Sequence, residues 1–157
     1  RILVGGAAAA RPRRIWRLDR DRSLAPITEE GVTGTPCRVD PGGRKLAFIA
    51  GDRLLVVDID EAAAPHVVPG AFADHFVCGW HAASDDVLLR SKSPPIAVLR
   101  VSPASGASTP LFEIDPPLPG RRGVDAVAVS QSGDAYAYSY GQELSRLYTM
   151  TAEDPGE

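Results

Sequence analysis

Short runs of aliphatic, β-branched and aromatic residues recur along the chain with a period of two, and Gly, Pro, Asp and Ser punctuate them. "AFIAGDRLLVVDID" from 47, "FVCGW" from 76, "VLLR" from 87, "IAVLRV" from 96, "AVAVS" from 126 and "AYAYSY" from 135 are the clearest. Segments of this length and patterning predict β-strands separated by turns. Only "GGAAAA" at 5–10 is helical in composition, and "RPRR" follows too soon for a stable helix. The chain reads as almost entirely β.

The runs also repeat. With Asp40 laid over His81 and Ser130, Val39, Trp80 and Val129 coincide, as do Leu46, Val87 and Tyr136, and Cys37, Cys78 and Val127. The offsets are 41 and 49 residues. A second register aligns Asp19, Asp58, Ser102 and Thr151 in "IWRLDRD", "LLVVDID", "VLRVS" and "LYTMT", with offsets of 39, 44 and 49. Each unit divides into four short strands; "TPCRV", "KLAFI", "LLVVDI" and "HVVP" are those of the clearest copy. Four antiparallel strands in a unit of about 40 residues is the pattern of a β-propeller blade. A β-sandwich is the alternative, but it has no reason to repeat its sequence.

The expected architecture is therefore a partial β-propeller over residues 1–151, with blades near 1–30, 31–70, 71–115 and 124–151, and a tail at 152–157. The first blade lacks its initial strand and the last its final one. Residues 1–157 then read as about the C-terminal four blades of a larger ring, a piece of a longer protein whose other domains lie outside it. Open strand edges would make the isolated piece unfold with poor cooperativity or self-associate.

Composition changes this picture little. The chain has 157 residues, is 44% hydrophobic and 24% charged, and carries a net charge of −3. That leaves no global positive field for nucleic acid or anionic lipid. No apolar run reaches the roughly 18 residues of a membrane span. Cys37 and Cys78 show no metal-binding spacing and read as small buried residues, which fits a reducing compartment without selecting between cytoplasm and periplasm.

"RVDPGGRKLAF" from 38 keeps a Pro-x-Gly turn before an apolar strand, "VSQSGDAYAY" from 129 keeps Ser-x-Ser-Gly-Asp, and "GWHAASDDVLL" from 79 keeps the Trp while losing Pro and Gly. These copies resemble the TolB-type, WD-like repeats of bacterial β-propellers. The tail "DAYAYSYGQELSRLYTM" from 134 is similar to the end of the propellers attached to bacterial eukaryotic-like serine/threonine protein kinases. The resemblance implies a non-catalytic sensor or protein-interaction module. Prolyl-oligopeptidase-like peptidases, whose propeller caps a hydrolase domain, and TolB-like periplasmic assembly proteins are the alternatives. The sequence holds neither kinase motifs nor a Gly-x-Ser-x-Gly elbow, so no catalytic residue and no cofactor is expected in this segment.

Blade geometry sorts the charges onto two rims. One rim collects Asp19, Asp21, Asp40, Asp58, Asp60, Glu61, Asp85, Asp86 and Asp134 against few cations. The other carries the long loops "GGAAAARPRR", "PGAFADH", "SKSPP" and "DPPLPGRRGVD", where binding tends to reside. Arg11, Lys92, Arg121 and Arg122 are the candidates there for contacting an acidic peptide or small anionic ligand. Asp74 and His75 complete the candidate rim. With His81 and Asp85 they would gather at the start of the third blade if they served as a metal or general-base group; otherwise His75 and His81 are a loop and a turn histidine. Asp19-x-Asp21 and Asp58-x-Asp60 lack the rest of a calcium loop and read as turn caps. The remaining blades and an upstream domain of the same chain are the other expected partners.

Overall fold

The structure, a computed structural model, describes residues 2–6, 12–34, 36–61, 64–115 and 121–142. Among them there are thirteen strands and no helix, in four small antiparallel sheets. The first sheet holds β1 (Ile2–Gly6), β2 (Arg14–Leu18) and β3 (Leu24–Pro26). The second holds β4 (Arg38–Val39), β5 (Lys45–Ala50), β6 (Arg53–Asp58) and β7 (His66–Val67). The third holds β8 (His75–His81), β9 (Asp86–Ser91), β10 (Ile96–Val101) and β11 (Ser108–Ile114), and the fourth β12 (Arg121–Val129) and β13 (Tyr136–Gln142). Within every sheet the strands follow one another as a meander, so all pairing is between chain neighbours.

Alternation decides which neighbour each side chain meets. On β5 and β6, Leu46, Phe48, Leu55 and Val57 pack with Ile15 and Ile27 of the first sheet's segment. Ala47, Leu54 and Val56 pack the opposite way, with Val77, Trp80, Val87 and Leu89 of the third sheet. The third sheet repeats this: Leu88, Ile96 and Val98 turn instead toward Val124 and Val127 of β12. The second and third sheets are thus buried on both faces, which is why their strands read as nearly unbroken apolar runs. Tyr136, Tyr138 and Tyr140 share one face of β13, opposite Val129, Val127 and Val124, and Tyr136 stacks on Phe112 at 4.4 Å between ring centroids.

The Asp-Pro-Gly-Gly stretch closes the β4–β5 hairpin. Asp40 accepts backbone N–H bonds from Gly42 at 3.2 Å, Arg44 at 2.7 Å and Lys45 at 2.6 Å through its carboxylate. Gly43 supplies the left-handed φ of 71° that the turn requires. Ser130 stands in the same place in the β12–β13 hairpin: its Oγ accepts from Ala135 N at 3.1 Å, and Gly133 takes φ 78°. The β8–β9 turn has no glycine, and Asp85 adopts the left-handed conformation instead, at φ 55°. Val39 faces Leu46, Trp80 faces Val87 and Val129 faces Tyr136 across these three hairpins. Replacing Asp40 by alanine is expected to destabilise the fold by about 1–2 kcal/mol in chemical denaturation, with most of the loss restored by Asp40→Asn, whose amide oxygen still accepts.

Turns of neighbouring sheets are also joined. Arg17 donates to Ile59 O at 2.8 Å and to Asp60 at 3.0 Å, His66 Nε2 meets Pro103 O at 2.9 Å, and His81 Nε2 meets Ser132 O at 3.1 Å. Ser23 N and Oγ bond Asp21, and the Asp60 and Glu61 amides bond Asp58, so two of the four aspartates of the Asp-x-Asp pairs cap their own turns.

Candidate functional site

The first strands of three sheets border one cleft. Ala82 N donates to Gln131 O at 2.9 Å just beyond the ends of β8 and β12, and Trp80 Nε1 on β8 donates to Arg38 O on β4 at 2.9 Å. Between them lies a cleft of about 450 Å3 lined by Pro36, Arg38, Phe76, Cys78, Arg90 and Asp125, with Val77, Ala126 and Val127 completing it.

Arg90 is the unusual residue. It sits on β9 opposite Phe76, on the face that turns toward β12, and is only 9% exposed. Its guanidinium lies 4.9 Å from the centre of the Phe76 ring and donates to Ser91 O and Asp125 O, both at a long 3.3 Å. Burial lowers its pKa; the Cys78 thiol opposes that shift and the like charge of Arg38 adds to it. An arginine keeps its proton through such a shift, so the cleft holds a buried positive charge. The Arg38 guanidinium donates to its neighbour's carbonyl, Cys37 O, at 2.9 Å. Among the described residues neither arginine has a carboxylate partner.

A bulge at Val77–Gly79 turns Cys78 onto the same face as Arg90. Its Sγ donates to Leu88 O at 3.3 Å, and burial pushes the thiol pKa up to about 11, so it is neutral and unreactive at pH 7. Cys37 packs instead against the core shared by the first two sheets, and both cysteines are free thiols.

The residues expected to form the binding rim are only partly brought together. Lys92 donates its backbone N–H to Asp74 O at 2.9 Å and its Nζ to Ala73 O, while Nζ lies 5.2 Å from the Phe76 ring centre. Asp74, His75 and Lys92 therefore meet at the entry to β8, with Lys92 and Arg90 both contacting Phe76. Arg11 lies outside the described residues. Arg121 and Arg122 belong to strand β12 and not to a connecting loop, because Arg121 pairs with Gln142 and Gly123 with Gly141. His75 and His81 occupy opposite ends of β8, roughly 20 Å apart at strand spacing. They do not gather with Asp74 and Asp85, and among the described residues no three His, Cys, Asp or Glu side chains could share a metal.

His75 Nδ1 is buried, with no hydrogen-bond partner among the described residues. Burial lowers its pKa from the ordinary 6.5; Asp74 opposes this and Lys92 reinforces it. The unfolded chain therefore binds this proton more readily than the folded one does. The resulting stability is present above pH 6.5 and is lost as the pH falls toward the folded pKa. Acidification from about pH 7.5 to 5.5 is expected to lower the melting temperature, and less so in His75→Gln. Asp21 and Asp134, held below the ordinary 3.8 by serine hydrogen bonds, act only below that pH.

Fold and cleft together define an all-β protein of serially stacked antiparallel sheets with a cationic cleft at their first strands. No family model matches the chain, and neither a curated protein nor a solved structure does. Among the described residues no helix is long and apolar enough to cross a membrane.

Proposed function

We propose that the chain is part of a β-propeller that serves as a non-catalytic binding module. The observation that carries this reading is that consecutive four-stranded meanders stack in chain order and border one cleft with their first strands. The three hairpin pairs that coincide in the sequence repeat support it too, since they take the same place in three successive sheets. A propeller blade is a meander whose first strand faces the ring axis, so the cleft would be a sector of the axial channel. Further blades of the ring would cover the outward faces of the first and last sheets, where Val4 and Ala128 are exposed. On this reading the module belongs to a bacterial serine/threonine kinase-like protein, a proposal supported by the resemblance of the Tyr-Ala-Tyr-Ser-Tyr segment to the end of propellers attached to such kinases.

A thermal-shift screen of neutral, cationic and anionic peptides and small molecules tests the binding role. Each hit is mapped by amide hydrogen exchange. Hits that raise the melting temperature and protect β4, β8 and β12, or the loops at 70–74 and 92–95, are the expected result. Chemical turnover of a bound compound, or no stabilising compound in any charge class, would overturn it.

A further inference from the structure

Arg38 and Arg90, without a carboxylate partner among the described residues, go further than a generic binding role. Arg90, a residue 9% exposed, makes two long backbone bonds through a part-buried guanidinium and has among the described residues no carboxylate partner of the kind that burial of a charge normally demands. Arg38 faces it from the neighbouring sheet, close enough for its charge to be felt at both Arg90 and Cys78. The Arg90 guanidinium, 4.9 Å from the Phe76 ring centre, spends two of its five N–H donors on the backbone carbonyls named above, and Arg90 lines the cleft. Two cations converging from two sheets on a cleft bounded by Phe76, Val77, Ala126 and Val127 form an oxyanion-binding end beside an apolar wall.

We infer that the cleft binds the carboxylate of a ligand with an apolar body, as presented by a peptide C terminus or by a small organic acid. This inference rests on reading the cleft as the module's ligand site. Charge selects a monoanion: Arg38 and Arg90 contribute two positive charges and Asp125 one negative charge to the lining, and the Cys78 thiol is neutral. A phosphate dianion would exceed the net charge of these lining residues by one, whereas a carboxylate matches it and accepts the guanidinium fork with both oxygens. The apolar wall then takes an aliphatic side chain.

Calorimetric titration of the full 157-residue chain tests this with four probes and one competitor. The probes are N-acetyl-leucine, N-acetyl-leucinamide, an acetylated hexapeptide ending in free leucine, and its C-terminally amidated twin; the competitor is inorganic phosphate. Both free acids are expected to bind saturably and at least about tenfold more tightly than their amides, the difference expected of charged hydrogen bonds. A tighter hexapeptide assigns the site to peptide C termini, and equal affinities assign it to small acids; either supports the carboxylate. Arg90→Met is expected to abolish the preference for the acid. Should that variant fail to fold, Arg38→Gln carries the test, with a loss of about tenfold. Asp125→Asn is expected to tighten carboxylate binding severalfold and to admit phosphate. Equal binding of acids and amides, or phosphate binding as tightly as N-acetyl-leucine to the unaltered chain, would overturn the inference. Failure of the acids while neutral compounds still protect β4, β8 and β12 removes the carboxylate and leaves the binding role. Failure of every charge class removes both.

Discussion

Phe48→Ala is expected to remove about 3–5 kcal/mol of stability, a large share of the roughly 5–15 kcal/mol that holds a domain together. Phe48 is fully buried and fills the space between the first and second sheets with Ile15, Ile27, Leu46, Leu55, Val57 and Ile59. Those neighbours lie in strands fixed by their own ladders or, for Ile27 and Ile59, one residue beyond a strand end with the backbone N–H bonded to Ile15 O and Arg44 O, so they cannot collapse into the hole. The loss combines the transfer free energy of the ring with the contacts its neighbours forfeit. Hydrogen exchange of the β5 and β6 amides reads the effect even if global unfolding is not two-state. Leu24→Ala, at a side chain 58% exposed, is the control and should change stability by no more than about 0.5 kcal/mol. Equal effects of the two substitutions would mean that the first two sheets do not pack on each other.

Gly106→Ala carries the second large expected effect, through the backbone. Gly106 adopts φ 73° in the β10–β11 turn, and a Cβ there would lie 1.9 Å from the carbonyl oxygen of Pro69. The left-handed conformation alone costs an alanine about 1–2 kcal/mol. Moving a backbone carbonyl away from the methyl adds to that, so the total should exceed about 2 kcal/mol. Gly51→Ala isolates the first contribution, since Gly51 has φ 66° and nothing within 4 Å of its added methyl. Gly106→Ala should therefore be the more damaging, with faster exchange at Val68, whose amide bonds Leu54 O, and in β11. Equal losses would show that Pro69 does not pack against the turn.

What was legible in the sequence was what depends on neighbours along the chain. Leu46 to Ile49 and Leu54 to Val57 read as strands because every position in the two runs is apolar whichever sheet it faces. Asp40 and Ser130 read as turn residues because their side chains bond backbone groups a few residues away. The tyrosines read as alternating because β13 keeps one face against Phe112.

The cleft depends on contacts across sheets, and there the sequence was silent. Arg90 ends the run "VLLR", where a charge ordinarily marks the emergence of a strand into solvent; only the Phe76 ring and the approach of β12 bury it. Arg38 stands beside Cys37 at the start of the first strand of its sheet, and that position was the one available signal. Arg121 and Arg122 were misplaced in a loop because "DPPLPGRRGVD" has no alternation of its own. Pairing with β13 makes its last five residues, from Arg121 to Asp125, part of strand β12. Tertiary partners override local propensity in such segments.

The central claim is that the sheets stack one upon the next in chain order, and methyl-to-methyl nuclear Overhauser contacts in the full chain measure it most directly. The expected pattern links Ile15 and Ile27 to Leu46 and Val57, links Leu54 and Val56 to Val87 and Leu89, and links Leu88 and Val98 to Val124 and Val127. No contacts are expected between the first sheet and the fourth. Contacts joining Ile15 or Leu46 to Val124 or Val127 would fold the strands into a two-layered sandwich, and neither the serial stacking of the sheets nor the cleft between their first strands would survive that result.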